Sequence, residues 1–281
     1  MNSKDSDLQI LKQYQGFLRT GLMVNQLPET KILGLQSILN PEVTPLEIFP
    51  FKQARAFGFL GKRAEIFFRL YLKQSKRYRE IVYSLQIIKD KITLGEFDFI
   101  CFDKDIGEVV HIELMNKIYL YDNSLHEDPD FCWIGPNRRD RFIDKAEKLK
   151  TKQFPLLYHP DAEATLHQLD LDPWKIKQRL CFKAILFLPE NSYIRFHKTN
   201  LSCISGYYYT LDEFLDKPWK DHKFYIPKKI NWFIDESQHT LWHPYTKILI
   251  QLRHLLEQSQ SPMLFRKDEK ENTFKCFVVW W

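Results

Sequence analysis

Apolar positions at the head of the chain recur with helical spacing. Leu8, Leu11, Tyr14, Leu18 and Leu22 follow Ser6, a residue suited to an N-cap, and the pattern predicts an amphipathic helix over 7–23. Pro28, Pro41, Pro45 and Pro50 then interrupt the chain, so 28–50 reads as a connector with at most a short helix around Lys31–Leu39, and a boundary falls near residue 55. After Gly61, Ile66, Phe67, Leu70 and Tyr71 form one stripe, which predicts a second helix over 62–74.

Beyond that helix the periodicity shortens. Tyr83–Ile88 and Lys91–Phe102 are rich in β-branched and aromatic residues, although Ile81, Leu85 and Ile88 would also suit a helix. Asp103-Lys104-Asp105-Ile106-Gly107 is turn chemistry and Val109–Tyr121 follows as a strand, so 94–121 is predicted as a β-hairpin. Gly135-Pro136 precedes a charged stretch, predicted as a helix from Asn137 to about Gln153 and ended by Pro155; Arg179–Leu188 is a further strand, closed by Pro189. The order is helix, three strands, helix, strand. Short aromatic segments and a helix over Tyr245–Glu257 then predict a smaller α+β extension packed on that core. The fold class is α/β, in three segments: 1–55, an N-terminal helix with a Pro-rich connector; 56–190, the core; and 191–281, the C-terminal extension.

Composition narrows the function classes. With 44% hydrophobic residues and a net charge of only +5, the chain is no disordered polymer. No run approaches the roughly 18 apolar residues of a membrane helix, so no membrane association is expected. Met1–Asp5 leads into an amphipathic stretch instead of an apolar signal core, which makes the cytosol the default compartment. The five cysteines are odd in number and widely spaced, unlike a disulfide framework or a metal knuckle, and are expected to be buried thiols. A surplus of five positive charges permits a polyanionic partner without requiring one.

The sharpest chemical pattern is Gly95-Glu96-Phe97-Asp98 followed, on the next strand, by His111-Ile112-Glu113-Leu114-Met115-Asn116-Lys117. Side chains alternate along a strand, so Glu96, Asp98 and Ile100 share one face, as do His111, Glu113, Met115 and Lys117. If Asp98 and Glu113 meet, they form a hard-oxygen site suited to Mg²⁺ or Mn²⁺. Such an ion activates water and neutralises charge on a phosphodiester, and a lysine beside it steadies the developing charge. The plainer alternative is a solvated strand face whose charges merely pair. His111 reads as a structural histidine, and Glu65 as a surface acid four residues before Arg69.

Asn137-Arg138-Arg139-Asp140-Arg141 would open the predicted helix, where free N–H groups and the dipole favour an anion, and Lys145, Lys148, Lys150 and Lys152 continue the positive charge. A solvated face with Asp140, Asp144 and Glu147 interleaved is the competing explanation. The aromatic residues Tyr207–Tyr209, Trp219, Trp232, Trp242, Trp280 and Trp281 are expected to serve packing rather than base stacking.

An Asp on one strand, a Glu and a Lys on the next, an acid on the preceding helix and a basic helix afterwards resemble the core of PD-(D/E)XK nucleases. The chain further resembles the bacterial family known as domain of unknown function 1853, assigned to that superfamily. The matching stretches are Leu60–Glu65, Thr93–Phe99, His111–Glu113 with Lys117, Trp133–Arg141, Lys152-Gln153 and Lys183–Leu188, with weaker echoes at Trp232 and Phe277–Val279. The resemblance implies a restriction endonuclease-like core and a metal-dependent nuclease acting on nucleic acid, with DNA ahead of RNA. It makes Asp98 and Glu113 ligands of Mg²⁺ or Mn²⁺, Lys117 their charged partner and Glu65 a helix-borne acid, and it places nucleic-acid contacts at Asn137, Arg138, Arg139, Arg141, Lys145 and Gln153. One departure matters: the superfamily lysine lies two residues after the second acid, where this chain has Met115. Lys117 is four residues on, about 13 Å along a strand, which leaves Lys145 or Lys148 as substitutes. The alternative function is a nucleic-acid or protein-interaction module that keeps the fold without turnover, and a weaker third is an effector or toxin component.

Overall fold

The computed structural model describes residues 3–35, 51–55 and 58–281. Its helices are α1 (Ser3–Arg19), α2 (Phe51–Arg55), α3 (Leu60–Gln74), α4 (Phe142–Lys148), α5 (Pro160–His167), α6 (Leu211–Leu215) and α7 (Tyr245–Glu257). The strands are β1 (Leu33–Gly34), β2 (Tyr78–Lys89), β3 (Ile92–Asp103), β4 (Glu108–Tyr121), β5 (Trp133–Ile134), β6 (Lys177–Pro189), β7 (Ile204–Thr210), β8 (Lys223–Tyr225), β9 (His243–Pro244), β10 (Met263–Lys267) and β11 (Thr273–Val279). Among the described residues all of these join one mixed sheet, ordered β2-β3-β4-β6-β7-β11-β10-β8-β9, with β1 on β6 and β5 on β4. The α/β class is as expected: a large mixed sheet flanked by helices.

The stripe of α3 buries Phe67, Phe68 and Leu70, and α1 lies against it through Tyr14 and Phe17, whose rings sit 5.4 and 5.9 Å from that of Phe67. Both helices cover the sheet face that carries Phe99, Cys101, Ile112 and Leu114. Phe142, Leu149 and Phe154 cover Tyr119, Phe182 and Leu186 on the opposite face, and α5 covers the β2–β3 end through Ala162 and Leu166. The C-terminal α6 and α7 close a fourth cluster around Phe214, Phe224, Ile248 and Val278. The hairpins form where turn chemistry allows them: Asp90 and Lys91 both take positive φ, 48° and 66°, in the two-residue loop between β2 and β3. All five cysteines are buried and unpaired, as expected. Trp219 and Trp232 are buried in the packing role anticipated for them, whereas Tyr207 and Trp280, expected to pack likewise, are exposed. Among the described residues no helix is long and apolar enough to cross a membrane.

Two expectations are corrected. The short helix around Lys31–Leu39 gives way at Leu33 and Gly34 to a strand parallel to β6, because the Gly34 and Leu35 N–H groups find Asn25 and Leu180 carbonyls at 2.8 and 3.0 Å; residues 36–50 lie outside the described set. An isolated helical turn offers no comparable partners. The charged helix does not begin at Asn137. Gly135 N–H donates to the Asp140 carbonyl at 2.7 Å and Arg138 adopts φ +58°, so 135–140 closes into a tight loop. Helical geometry starts at Phe142 with Arg141 as an extended N-cap, and passes at Leu149–Gln153 into a π-helical turn.

Lys183 stands out in the middle of β6. It is 1% exposed, its Nζ donates to the Leu18 carbonyl at 3.3 Å and lies 5.1 Å from the Phe17 ring centre, and burial pushes its ammonium below the ordinary lysine range. Folding therefore favours the neutral amine: stability from this group is reduced at pH values below the lowered pKa and recovers as pH rises towards the ordinary value. Lys183→Met, close in shape and uncharged, is expected to stabilise by about 1 kcal/mol near neutral pH, seen as a rise in thermal midpoint. A fall in midpoint would show that the Leu18 contact is a net stabiliser.

Candidate metal centre

The candidate site sits where two strands part. The β3–β4 ladder ends at Phe99↔Ile112, and on that side β4 has no strand partner among the described residues until Leu120 pairs with Ile134 of β5. Asp98 and Glu113 are the first residues past the last pair, at the apex of the resulting fork. An Asp98 carboxylate oxygen, Oδ2, accepts from Leu114 N–H at 2.8 Å, where a continuing strand would have supplied a carbonyl.

Strict alternation breaks here. Phe97 and Ile100 join the cluster under α5 while Phe99 and Cys101 face α3, so the chain turns over around Asp98. On β2 the residue opposite is Ser84, with φ +55°, between the regular pairs Tyr83↔Phe99 and Leu85↔Phe97. This local twist opens the site to groups from both layers of helices.

Glu113 is held rigidly. It is 1% exposed; Oε1 lies 2.8 Å from His111 Nε2, and Oε2 accepts from Gln153 Nε2 at 3.1 Å. His111 is itself clasped edge-on between Phe97 and Phe154, at 5.0 and 5.8 Å between ring centres. Gln153 reaches the site because the π-helical turn ends the α4 segment beneath β3, where the same Nε2 also faces the Glu96 carbonyl at 3.4 Å. From the other layer α3 brings Glu65, ion-paired with Lys62.

The electrostatics follow from this crowding. Burial, then the Glu113 charge, push the Asp98 carboxyl up; Leu114 N–H opposes them, Glu65 and Glu96 add to the rise, and the result is about 8. Asp98 therefore retains its proton near neutrality unless a cation takes its place.

Among the described residues no three His, Cys, Asp or Glu side chains form a ready metal cage. The closed four-ligand site zinc prefers is thus absent among the described residues, whereas Mg²⁺ keeps several waters and takes one or two carboxylates. Asp98 and Glu113 fit that smaller requirement, with the mutual repulsion a divalent cation relieves.

The other anticipated residues are distributed differently. Glu65 and Gln153 come to the carboxylates, Gln153 as a partner of Glu113. Lys117 Nζ is bound to Asp140 Oδ2 at 2.7 Å, and Lys145 reaches the same carboxylate at 3.2 Å. Arg138 pairs with Asp122 at 2.6 Å and lies over the Trp281 ring at 4.5 Å, Arg141 pairs with Asp144, and Asn137 Oδ1 accepts from Ser261 N–H at 2.9 Å. Arg139, by contrast, has no carboxylate partner among the described residues. Sequence reasoning missed Lys62, whose ammonium burial pushes down but Glu65, with smaller help from Tyr83 and Glu96, holds up, and the clasp of His111 on Glu113. The second was signalled by strand parity, which puts 111 and 113 on one face; the first is visible only once α3 is laid over the fork.

No curated protein and no solved structure matches the chain. The model of one family does, over residues 21–279 and so nearly the whole length: the chain belongs to the domain of unknown function family DUF1853.

Proposed function

We propose that the protein is a metal-dependent phosphodiesterase acting on nucleic acid, DNA ahead of RNA, on a restriction endonuclease-like form of this mixed fold. The observation that carries the proposal is the pair Asp98 and Glu113 at the fork apex, one carboxyl raised to about 8 by burial and by the other. Mg²⁺ or Mn²⁺ bound there would activate a water and neutralise charge on the phosphodiester. The chain's own contribution is positional. His111 and Gln153 fix both oxygens of Glu113, Leu114 N–H fixes one oxygen of Asp98, and Lys62 keeps a cation beside Glu65 at the acidic mouth. Such preorganised groups act without reorganising as charge develops.

Two observations favour a second reading, an interaction module without turnover: Lys117 is engaged by Asp140, and no third side-chain ligand joins the acids among the described residues. A divalent-ion titration with single- and double-stranded DNA and RNA separates the two. Cleavage that requires Mg²⁺ or Mn²⁺ and disappears in chelator supports the enzyme; no cleavage of any of the four substrates with either ion leaves the module.

A further inference from the structure

Past the acids, the open edge of β4 borders a cavity of about 320 Å³ lined by Asn116, Lys117, Arg139, Lys229 and Trp232. It lies between the start of α3, the 135–140 loop and the 3₁₀ turn Lys229–Asn231 of the C-terminal region. Its charge is positive. Asp140 is the acid on its wall and is already shared by Lys117 and Lys145, while Arg139 and Lys229 are exposed and have no carboxylate partner among the described residues.

The strand itself adds donors. Leu114 N–H points into the fork, and the β4–β6 register runs from Val110 to Leu120 without a shift, so the twofold alternation directs the Asn116 and Ile118 N–H groups the same way. A second hollow of about 290 Å³ shares Asn137, Lys229 and Trp232 with the first. One of its walls is Ser261, 3% exposed, whose Oγ has no hydrogen-bond partner among the described residues. Cations without counterions, backbone N–H groups and an idle buried hydroxyl together make a donor-rich concave surface beginning a few residues from Glu113.

We propose that this groove holds the phosphate backbone of a nucleic-acid strand, with Arg139 and Lys229 as its principal phosphate contacts, so that the C-terminal region completes the substrate track. The inference rests on the nuclease reading for the choice of nucleic acid as the polyanion. It shifts the contact surface from the stretch 137–153 as a whole to one residue of its loop and a lysine some ninety residues further along the chain. An acidic polypeptide strand added to the open β4 edge is the competing occupant; the clustering of cations over the row of N–H groups favours phosphates.

The test is binding, measured in chelator so that cleavage plays no part. Fluorescein-labelled single- and double-stranded oligonucleotides are titrated against the full chain and the R139A/K229A double variant over a range of KCl, with inorganic phosphate and poly-L-glutamate as competitors. Both side chains are exposed, so the variant should fold, as its thermal midpoint will show. Its affinity should fall about tenfold or more at low salt, and the slope of log affinity against log salt should flatten by about 1.4 for single strands or 1.8 for duplexes, two contacts' worth. Unchanged affinity and slope overturn the groove, as does poly-L-glutamate binding where no oligonucleotide binds, or full displacement by millimolar inorganic phosphate. The two proposals fail separately: loss of binding in the variant with no metal-supported cleavage by the parent refutes the nuclease and keeps the groove, whereas cleavage by the parent with undiminished binding by the variant does the reverse.

Discussion

Glu113→Gln is expected to cut metal-supported cleavage by about 100- to 1,000-fold and to abolish Mn²⁺ binding in a calorimetric titration, with the fold unchanged. The substitution keeps side-chain size and lets the new amide oxygen accept from Gln153, so it removes charge without opening a hole. Glu113→Ala would be a poorer probe. His111 Nδ1 is already buried without a partner among the described residues, and taking Glu113 away would leave Nε2 bare as well, at about 1–3 kcal/mol for the stranded group. Turnover and Mn²⁺ affinity both preserved in Glu113→Gln would place any metal elsewhere and remove the central observation from the proposed function.

Asp98→Asn should act in the opposite sense on stability. The carboxyl is raised from its ordinary value to about 8, so the folded state prefers the protonated form. For an acid shifted upward, stability is highest below the unfolded value near 4 and falls as pH climbs through the window up to about 8. In chelator the parent should therefore melt higher at pH 5 than at pH 8.5, and the Asn variant should lose most of that slope while exceeding the parent at the alkaline end. One pKa unit is about 1.4 kcal/mol, and because Asp98 retains some solvent contact the gain should be nearer 2 kcal/mol than the full shift implies. At about 2–4 °C per kcal/mol that is several degrees in midpoint. Saturating Mn²⁺ should invert the order, stabilising the parent and not the variant. A lower midpoint for the variant in chelator would identify Asp98 as a structural partner of the backbone and nothing more.

How much of this was legible beforehand depends on what each element is made of. The helix Tyr245–Glu257 and the hairpin around Gly107 follow from apolar periodicity and turn residues, and both are present with those bounds or close to them. The stretch 137–153 was misread because its residues are nearly all polar, so charge spacing stood in for a hydrophobic stripe, and a single loop hydrogen bond between Gly135 and Asp140 decided the outcome. Helix α5 is short and was not anticipated. Parity correctly grouped His111 with Glu113 on regular β4, but it cannot register the turnover at Asp98, which arises from the parting of β3 and β4 and the left-handed Ser84 across the ladder. The role of Gln153, forty residues from Glu113, depends on a π-helical turn that no local pattern announces.

The bond from Leu114 N–H to Asp98 makes a main-chain group a witness to the state of the site. Its acceptor is ionised in one condition and protonated in another, with the crossover near pH 8, and a cation drawing on the same carboxylate would weaken it again. One backbone amide in a ¹⁵N-labelled sample thus carries the titration of the acid and the arrival of an ion as movements of a single resonance. The protein contains its own indicator, readable without substrate.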